Sequence, residues 1–120
     1  MEHMRFDLGS TEQIPPGQGR CFKIGALDVA VFRGRDGRLF AIENRCPHRG
    51  GPLAEGIIGA TQVVCPLHGH KFDLTTGQGS EARECVKTFE VSQENENIVI
   101  GLALTLKDRR AYENCQSGTP

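Results

Sequence analysis

Two short runs constrain this chain more than anything else in it: Cys46-Pro47-His48 and Cys65-Pro66-Leu67-His68, with sixteen residues between His48 and Cys65. Each run supplies one thiol and one imidazole. If the two turns converge, they offer two thiolates and two imidazoles, a set that suits either of two metal centres. One is a [2Fe–2S] cluster whose cysteines hold one iron and whose histidines hold the other. The other is a structural Cys₂His₂ zinc site. Classical zinc fingers pair Cys with Cys and His with His along the chain. Each turn here is mixed, which favours the cluster. A fold that uses Cys46, His48, Cys65 and His68 together must bring two loops to one point.

The charge arithmetic says what imidazole ligands would do. Two ferric ions, two sulfides, two thiolates and two neutral imidazoles sum formally to zero. Exchanging both imidazoles for thiolates adds two negative charges, so the mixed set accepts an electron more easily. Pro47 and Pro66 each follow a candidate cysteine, stiffen the turn and remove a backbone donor. Gly50, Gly51, Gly56, Gly59 and Gly69 would let backbone N–H groups approach the sulfurs.

The bulk composition agrees with a small electron carrier. The 120 residues suit one domain, and six Phe, one Tyr and no Trp make a modest aromatic core that a bound cluster would help to fix. Fourteen basic and fifteen acidic side chains leave a net charge of −1, which argues against nucleic acid or a membrane surface as partner. No apolar run is long enough to span a bilayer. The N-terminal residues lack the apolar core of a signal peptide. The five cysteines argue against a disulfide framework: Cys21 and Cys85 are expected as buried thiols in strands, Cys115 as an exposed thiol in a polar tail. That usage fits the reducing cytoplasm.

Short, often alternating apolar segments predict an all-β, antiparallel chain. Strands are expected at Phe6–Leu8, Arg20–Ile24, Leu27–Phe32, Leu39–Ile42, Val63–Val64, Phe72–Leu74, Val86–Val91 and Ile98–Leu102. Ile14-Pro15-Pro16-Gly17-Gln18-Gly19 reads as a turn region. Asp36-Gly37 signals a hairpin, and Ser92–Asn97 a polar turn. One domain is expected over residues 1–106, with an inserted cluster-binding subdomain near 44–75. Residues 107–120 are expected to be a polar, flexible tail.

Cys46-x-His48, the sixteen-residue gap and Cys65-x-x-His68-Gly69 resemble the pattern of the Rieske [2Fe–2S] family, and the resemblance runs from about Phe6 to Leu102. Phe72-Asp73-Leu74-x-x-Gly77 is similar to the strand and turn that follow the second ligand loop there. The resemblance implies a β-sandwich of antiparallel layers with a small cluster-binding subdomain whose histidines lie near the surface. It also implies departures from high-potential members. Their extra loop cysteines, which form a disulfide, are Gly51 and Leu67 here. Their Ser and Tyr hydroxyls against the cluster are His70 and Phe72. Fewer donors to the cluster lower the potential, to about −150 mV or somewhat below.

Within the family, residues 44–56 and 65–77 resemble the two ligand loops of the small subunit of NAD(P)H-dependent assimilatory nitrite reductase. That resemblance implies a large subunit carrying flavin, a [4Fe–4S] cluster and sirohaem, where nitrite becomes ammonia. The alternative is a ferredoxin serving the oxygenase and reductase components of a ring-hydroxylating dioxygenase, although such ferredoxins often carry Thr where Pro47 stands. A third possibility is a non-redox module holding zinc. The chain is not an oxygenase catalytic subunit by itself, because only His3 and His70 remain for a mononuclear iron. Gly17-Gln18-Gly19 lacks the strand-turn-helix setting of a dinucleotide site. His70 is expected as a rim residue and His3 as a terminal one. Arg49 is a candidate for the docking face. Arg33, Arg35 and Arg38 are expected as solvated charges around a turn.

Overall fold

The computed structural model describes residues 3–25, 27–45, 52–66, 69–80 and 84–103. Among them no α-helix occurs; the chain is built from nine strands and two single 3₁₀ turns. The strands are β1 (His3–Ser10), β2 (Gln18–Ile24), β3 (Leu27–Arg33), β4 (Leu39–Glu43), β5 (Ile57–Gly59), β6 (Gln62–Val64), β7 (Lys71–Asp73), β8 (Thr88–Glu94) and β9 (Asn97–Ala103). All pairings are antiparallel. Six strands form one sheet in the order β1-β9-β8-β4-β3-β2, and three form a second, β5-β6-β7. The second sheet is inserted between β4 and β8.

The hinge of the architecture is β3. Its central residues Val29, Ala30, Val31 and Phe32 are all fully buried, because both faces of the strand are covered. Val29 and Val31 join Ile14, Ile24, Ala41, Ile98 and Ile100 in a core held by the six-stranded sheet. Ala30 and Phe32 point the other way. With Phe40 and Ile42 of β4 they meet Leu53, Ala54, Val63, Cys65, Phe72, Leu74 and Val86 from the inserted region. A strand covered on both faces reads as a continuous apolar run rather than an alternation. The inserted region lies against β2 at Gly19, where a Cβ would fall 2.9 Å from Ala54 O as well as 2.5 Å from the Phe32 ring of β3. Two residues on, the same face of β2 is open, so Cys21 is an exposed thiol, which corrects the expectation of a buried one.

Three further expectations are corrected. The strand expected at Val86–Val91 is Thr88–Glu94, because Val86 is spent on a bond to the inserted region: its N–H donates to Gly77 O at 2.8 Å. The closing turn is only Asn95-Glu96, both at positive φ (52° and 68°), the left-handed pair that a two-residue hairpin requires. Strand β5 was not anticipated; Ile57-Ile58-Gly59 is too short to show a period. Arg33 is not a solvated charge, since its guanidinium donates to Thr11 O at 3.3 Å and Ile14 O at 3.0 Å and ties β3 to the turn after β1. Arg38 pairs with Asp36 at 2.9 Å and lies over the Phe40 ring. The polar tail expected at 107–120, with Cys115, lies outside the described residues.

Candidate metal centre

Of the four predicted ligands, Cys65 is described; Cys46, His48 and His68 lie outside the described residues, as do Pro47, Arg49, Gly50, Gly51 and Leu67. Cys65 ends the run after β6 as a free thiol, buried to 2 % exposure. The loop it opens closes on itself. The Cys65 N–H donates to His70 O at 2.7 Å, and the Gly69 N–H donates back to Cys65 O at 3.1 Å. Gly69 turns the chain at φ 76°, a left-handed conformation that a side chain disfavours. Pro66 is exposed at the outer side of this loop.

The roots of the first loop are pinned in a similar way. Asn44 Oδ1 accepts the Ala54 N–H at 2.7 Å, so the chain leaves and re-enters the fold at one place. Behind that point Leu53 and Ala54 share a buried cluster with Cys65. The root of the first loop and the start of the second therefore rest on one apolar floor. Gly56 keeps the two close, since a Cβ there would lie 2.3 Å from Val64 O. The sequence expectation that Gly56 and Gly59 admit backbone to sulfur is thus refined. Gly56 serves an approach to a neighbouring carbonyl, and a Cβ on Gly59 would meet nothing.

Below the loops, β7 is extended by a tight turn. Asp73 Oδ1 accepts the N–H of Thr75 at 2.8 Å and of Thr76 at 3.1 Å, together with the Thr75 hydroxyl. These bonds, that of the Thr75 hydroxyl first, hold the Asp73 carboxyl below its ordinary pKa. Gly77 sits at φ 82°, and a Cβ there would lie 2.0 Å from Val86 O. The Phe72-Asp73-Leu74-x-x-Gly77 run is therefore a buried ring, a turn-capping carboxylate, a buried leucine and an obligatory glycine. At the base of the first loop, burial lowers the pKa of Lys87 and the Glu43 carboxylate partly restores it.

Sequence reasoning missed two features here. His70 is not a rim residue. Its side chain is 19 % exposed, and its Nδ1 lies 2.8 Å from Glu84 Oε1, itself 14 % exposed. Nothing in the local sequence pairs positions fourteen apart. Cys85 is buried as expected, but its sulfur is disulfide-bonded, not a thiol. On the outer face of the small sheet, register places Ile57 opposite Val64 and Val64 opposite Lys71. Ile57 is 76 % exposed, the exposed large apolar side chain among the described residues.

A free, buried thiol in a self-closed loop, on the same floor as the root of the other loop, fits the two-thiolate, two-imidazole donor set of a [2Fe–2S] cluster. No helix among the described residues is long and apolar enough to cross a membrane.

Comparison with known proteins agrees with this geometry. The 3-phenylpropionate/cinnamic acid dioxygenase ferredoxin subunit of Photorhabdus laumondii is 34% identical over 94 residues, covering 76% of this chain and 88% of that protein. The chain spans only 16% of the 4beta-methylsterol monooxygenase of Methylococcus capsulatus, at 41% identity over 61 residues. Among solved structures, a candidate NADH-dependent nitrite reductase small subunit from Mycobacterium tuberculosis superposes with a TM-score of 0.81 at 21% identity, covering 88% of this chain and all of that one. The E. coli protein NirD superposes with a TM-score of 0.78 at 26% identity, covering 85% and 99%. Residues 4–93 match the Rieske [2Fe-2S] domain, and the chain belongs to that family, as an electron-transfer protein with a [2Fe–2S] cluster.

Proposed function

We propose that this chain is the small subunit of an NAD(P)H-dependent nitrite reductase, in which Cys46 and Cys65 hold one iron of the cluster and His48 and His68 the other. The bound cluster takes up and gives back one electron. The protein's part is to hold the two loops at fixed separation, to bury the thiolate of Cys65, and to leave the loop ends open to a partner. Reductant and nitrite are handled on the large subunit, by its flavin, [4Fe–4S] cluster and sirohaem.

The observation that carries the reading is the pair of loop sequences, 44–56 and 65–77, seated on a fold that overlays NirD along most of both chains. The row of exposed Ile57, half-buried Val64 and exposed Lys71 flanks the second loop. It is the face we assign to the large subunit, an apolar contact beside one cation. A second reading, a diffusing ferredoxin for a ring-hydroxylating dioxygenase, is favoured by the 34% identity to the dioxygenase ferredoxin subunit. Both readings place the protein in the cytoplasm.

An anaerobic pull-down of tagged chain from its own host, followed by an absorption spectrum of the co-purifying protein, separates the two. Sirohaem and flavin bands support the nitrite reductase. A partner with a second Rieske signature and non-haem iron moves the assignment to the dioxygenase. The ligands are tested by Cys46→Ser, His48→Ala, Cys65→Ser and His68→Ala. Each is expected to abolish the Rieske spectrum, and a variant that keeps it removes that residue from the set. Zinc in place of iron in the wild-type protein would point to the non-redox module.

A further inference from the structure

The second ligand loop is short, and the strand that anchors it, β7, has three residues. Few ladder bonds therefore resist a swing of the loop about its base. Gly69, at φ 76°, adds a flexible joint just before that base. Something else must set the angle at which the loop leaves the sheet.

We propose that the His70–Glu84 pair is the positioning device of this loop; the proposal rests on the reading of Cys65 and His68 as ligands. His70 is the closing residue of the loop, since its carbonyl accepts the Cys65 N–H at 2.7 Å. Its ring reaches away from the loop to Glu84, with Nδ1 2.8 Å from Oε1. The carboxylate can only accept, so Nδ1–H is the donor.

Glu84 is itself a fixed post. Its carbonyl accepts the Gly79 N–H at 2.8 Å. Its neighbour Cys85 bridges Gln78, and Val86 bonds Gly77. The strand that follows His70 is tied to the same segment, because the Ser80 N–H donates to Lys71 O at 2.8 Å and Ser80 Oγ accepts the Lys71 N–H at 3.0 Å. Main-chain bonds hold the base of the loop on one side, and the imidazole holds it on the other.

The pair also differs in kind from the surface ion pairs of this chain. Lys23–Asp28 has side chains 80 % and 49 % exposed, and Arg38–Asp36 56 % and 59 %. Such pairs are screened and contribute little. His70 and Glu84 are 19 % and 14 % exposed, and a charge-assisted bond that is largely out of water is strong and directional. Removing either partner leaves the other buried without this bond. Rotation of the loop then changes how Cys65 and His68 meet the irons and which N–H groups point at sulfur, which sets both the g-values and the potential of such a cluster.

The test uses the full chain with its cluster, as wild type, His70→Ala, Glu84→Ala, the double variant and His70→Gln. Three readouts are taken at one fixed pH: EPR g-values of the reduced protein, midpoint potential, and the half-life of the visible spectrum in excess EDTA. Far-UV circular dichroism reports the fold. Each alanine variant is expected to shorten the half-life by about tenfold, the lower end of the effect of losing an outer-shell partner, and to move the g-values and the potential. The double variant should be no worse than either single one. His70→Asn, added to the set because its Nδ2 hangs on Cγ as Nδ1 does and can still donate to Glu84, should recover most of the wild-type behaviour, and His70→Gln, whose amide lies one carbon farther out, should recover less.

Unchanged g-values, potential and half-life in both alanine variants would overturn the proposal. So would a double variant whose effect is the product of the singles. If His70→Ala fails to fold, His70→Leu, of similar bulk and without a donor, carries the same expectations. A wild-type chain that binds no iron overturns the ligand reading and this inference with it. A normal wild-type cluster with unmoved variants overturns the inference alone.

Discussion

The six-stranded sheet and the small β5-β6-β7 sheet are both antiparallel, yet they are held together by different means. The large sheet runs on registers of five to seven pairs, except at the two-pair junction of β4 with β8. Strands β2 and β3 pair over seven consecutive positions, Gln18 with Arg33 through Ile24 with Leu27, and the apolar side chains between its faces do most of the work. The small sheet has strands of three residues. It keeps its shape through the floor it shares with Phe32 and Phe40, through glycines at close backbone approaches, and through single bonds such as Asn44 to Ala54. A region stabilised by burial fails by losing volume. A region stabilised by individual contacts fails by losing geometry. In this chain the cluster site proposed above falls on the second kind of region.

Substitutions can break or sharpen that contrast. The largest expected loss is Phe32→Ala, which empties the floor shared by both sheets. A fully buried Phe truncated to Ala costs about 3–5 kcal/mol, so urea denaturation should show a sharply lower midpoint and the cluster should be lost along with the fold. Gly77→Ala should follow at about 3 kcal/mol, from a Cβ driven into Val86 O and a left-handed φ. A wild-type midpoint for Gly77→Ala would show that the 77–86 junction yields more than its backbone suggests.

Ile57→Asp tests the opposite property. An exposed site on the small sheet should change stability by no more than about 0.5 kcal/mol. If the partner is the large subunit proposed above, its binding should weaken by about 1 kcal/mol, roughly fivefold in Kd, with the spectrum unaltered. Calorimetric titration of the large subunit gives the number, and equal affinity would remove the Ile57 row from the interface.

Asp73→Asn is the mildest of the set. The folded-state pKa of Asp73 lies below its ordinary value of 3.8. Its stabilisation is therefore present above that value and is lost as pH falls through the folded-state pKa. Because the carboxylate is near the surface, the effect is small, and it appears as a flatter stability curve for Asp73→Asn below about pH 4. A curve identical to wild type there would mean that the bonds from Thr75 and Thr76 form equally well to an amide.

Much of this was legible in the residues, for reasons particular to each. Strands β2, β3 and β4 were readable because Arg20–Ile24, Leu27–Phe32 and Leu39–Ile42 carry apolar patterns separated by Gly25 and Asp36-Gly37. Strand β5 was not, since three residues hold no period and its partner β6 is what makes it a strand. The end of β8 was misplaced because Ser92, Gln93 and Glu94 are all polar and exposed, so the run looked like a turn, and only pairing with β9 makes it strand. Cys21 was misjudged because its exposure depends on how far the inserted region reaches across β2. The partnership of His70 with Glu84 depends on two segments that only the small sheet brings side by side.

The sequence by itself determined the family: the spacing of Cys46, His48, Cys65 and His68 carries the resemblance to the Rieske pattern, which the match over residues 4–93 bears out, and a donor set so local is legible without a fold. The all-β class was determined as well, because period-two patterning allows little else. Tertiary structure decided what surrounds that chemistry: that Phe32 and Cys65 share one buried floor, that Gly56 and Gly77 cannot carry a side chain, that Ile57 faces solvent, and that His70 meets Glu84. Each of these depends on contacts that a local pattern does not encode: packing across one face of β3 for Phe32 and Cys65, and the way the inserted region folds on itself for Gly56, Gly77, Ile57 and His70.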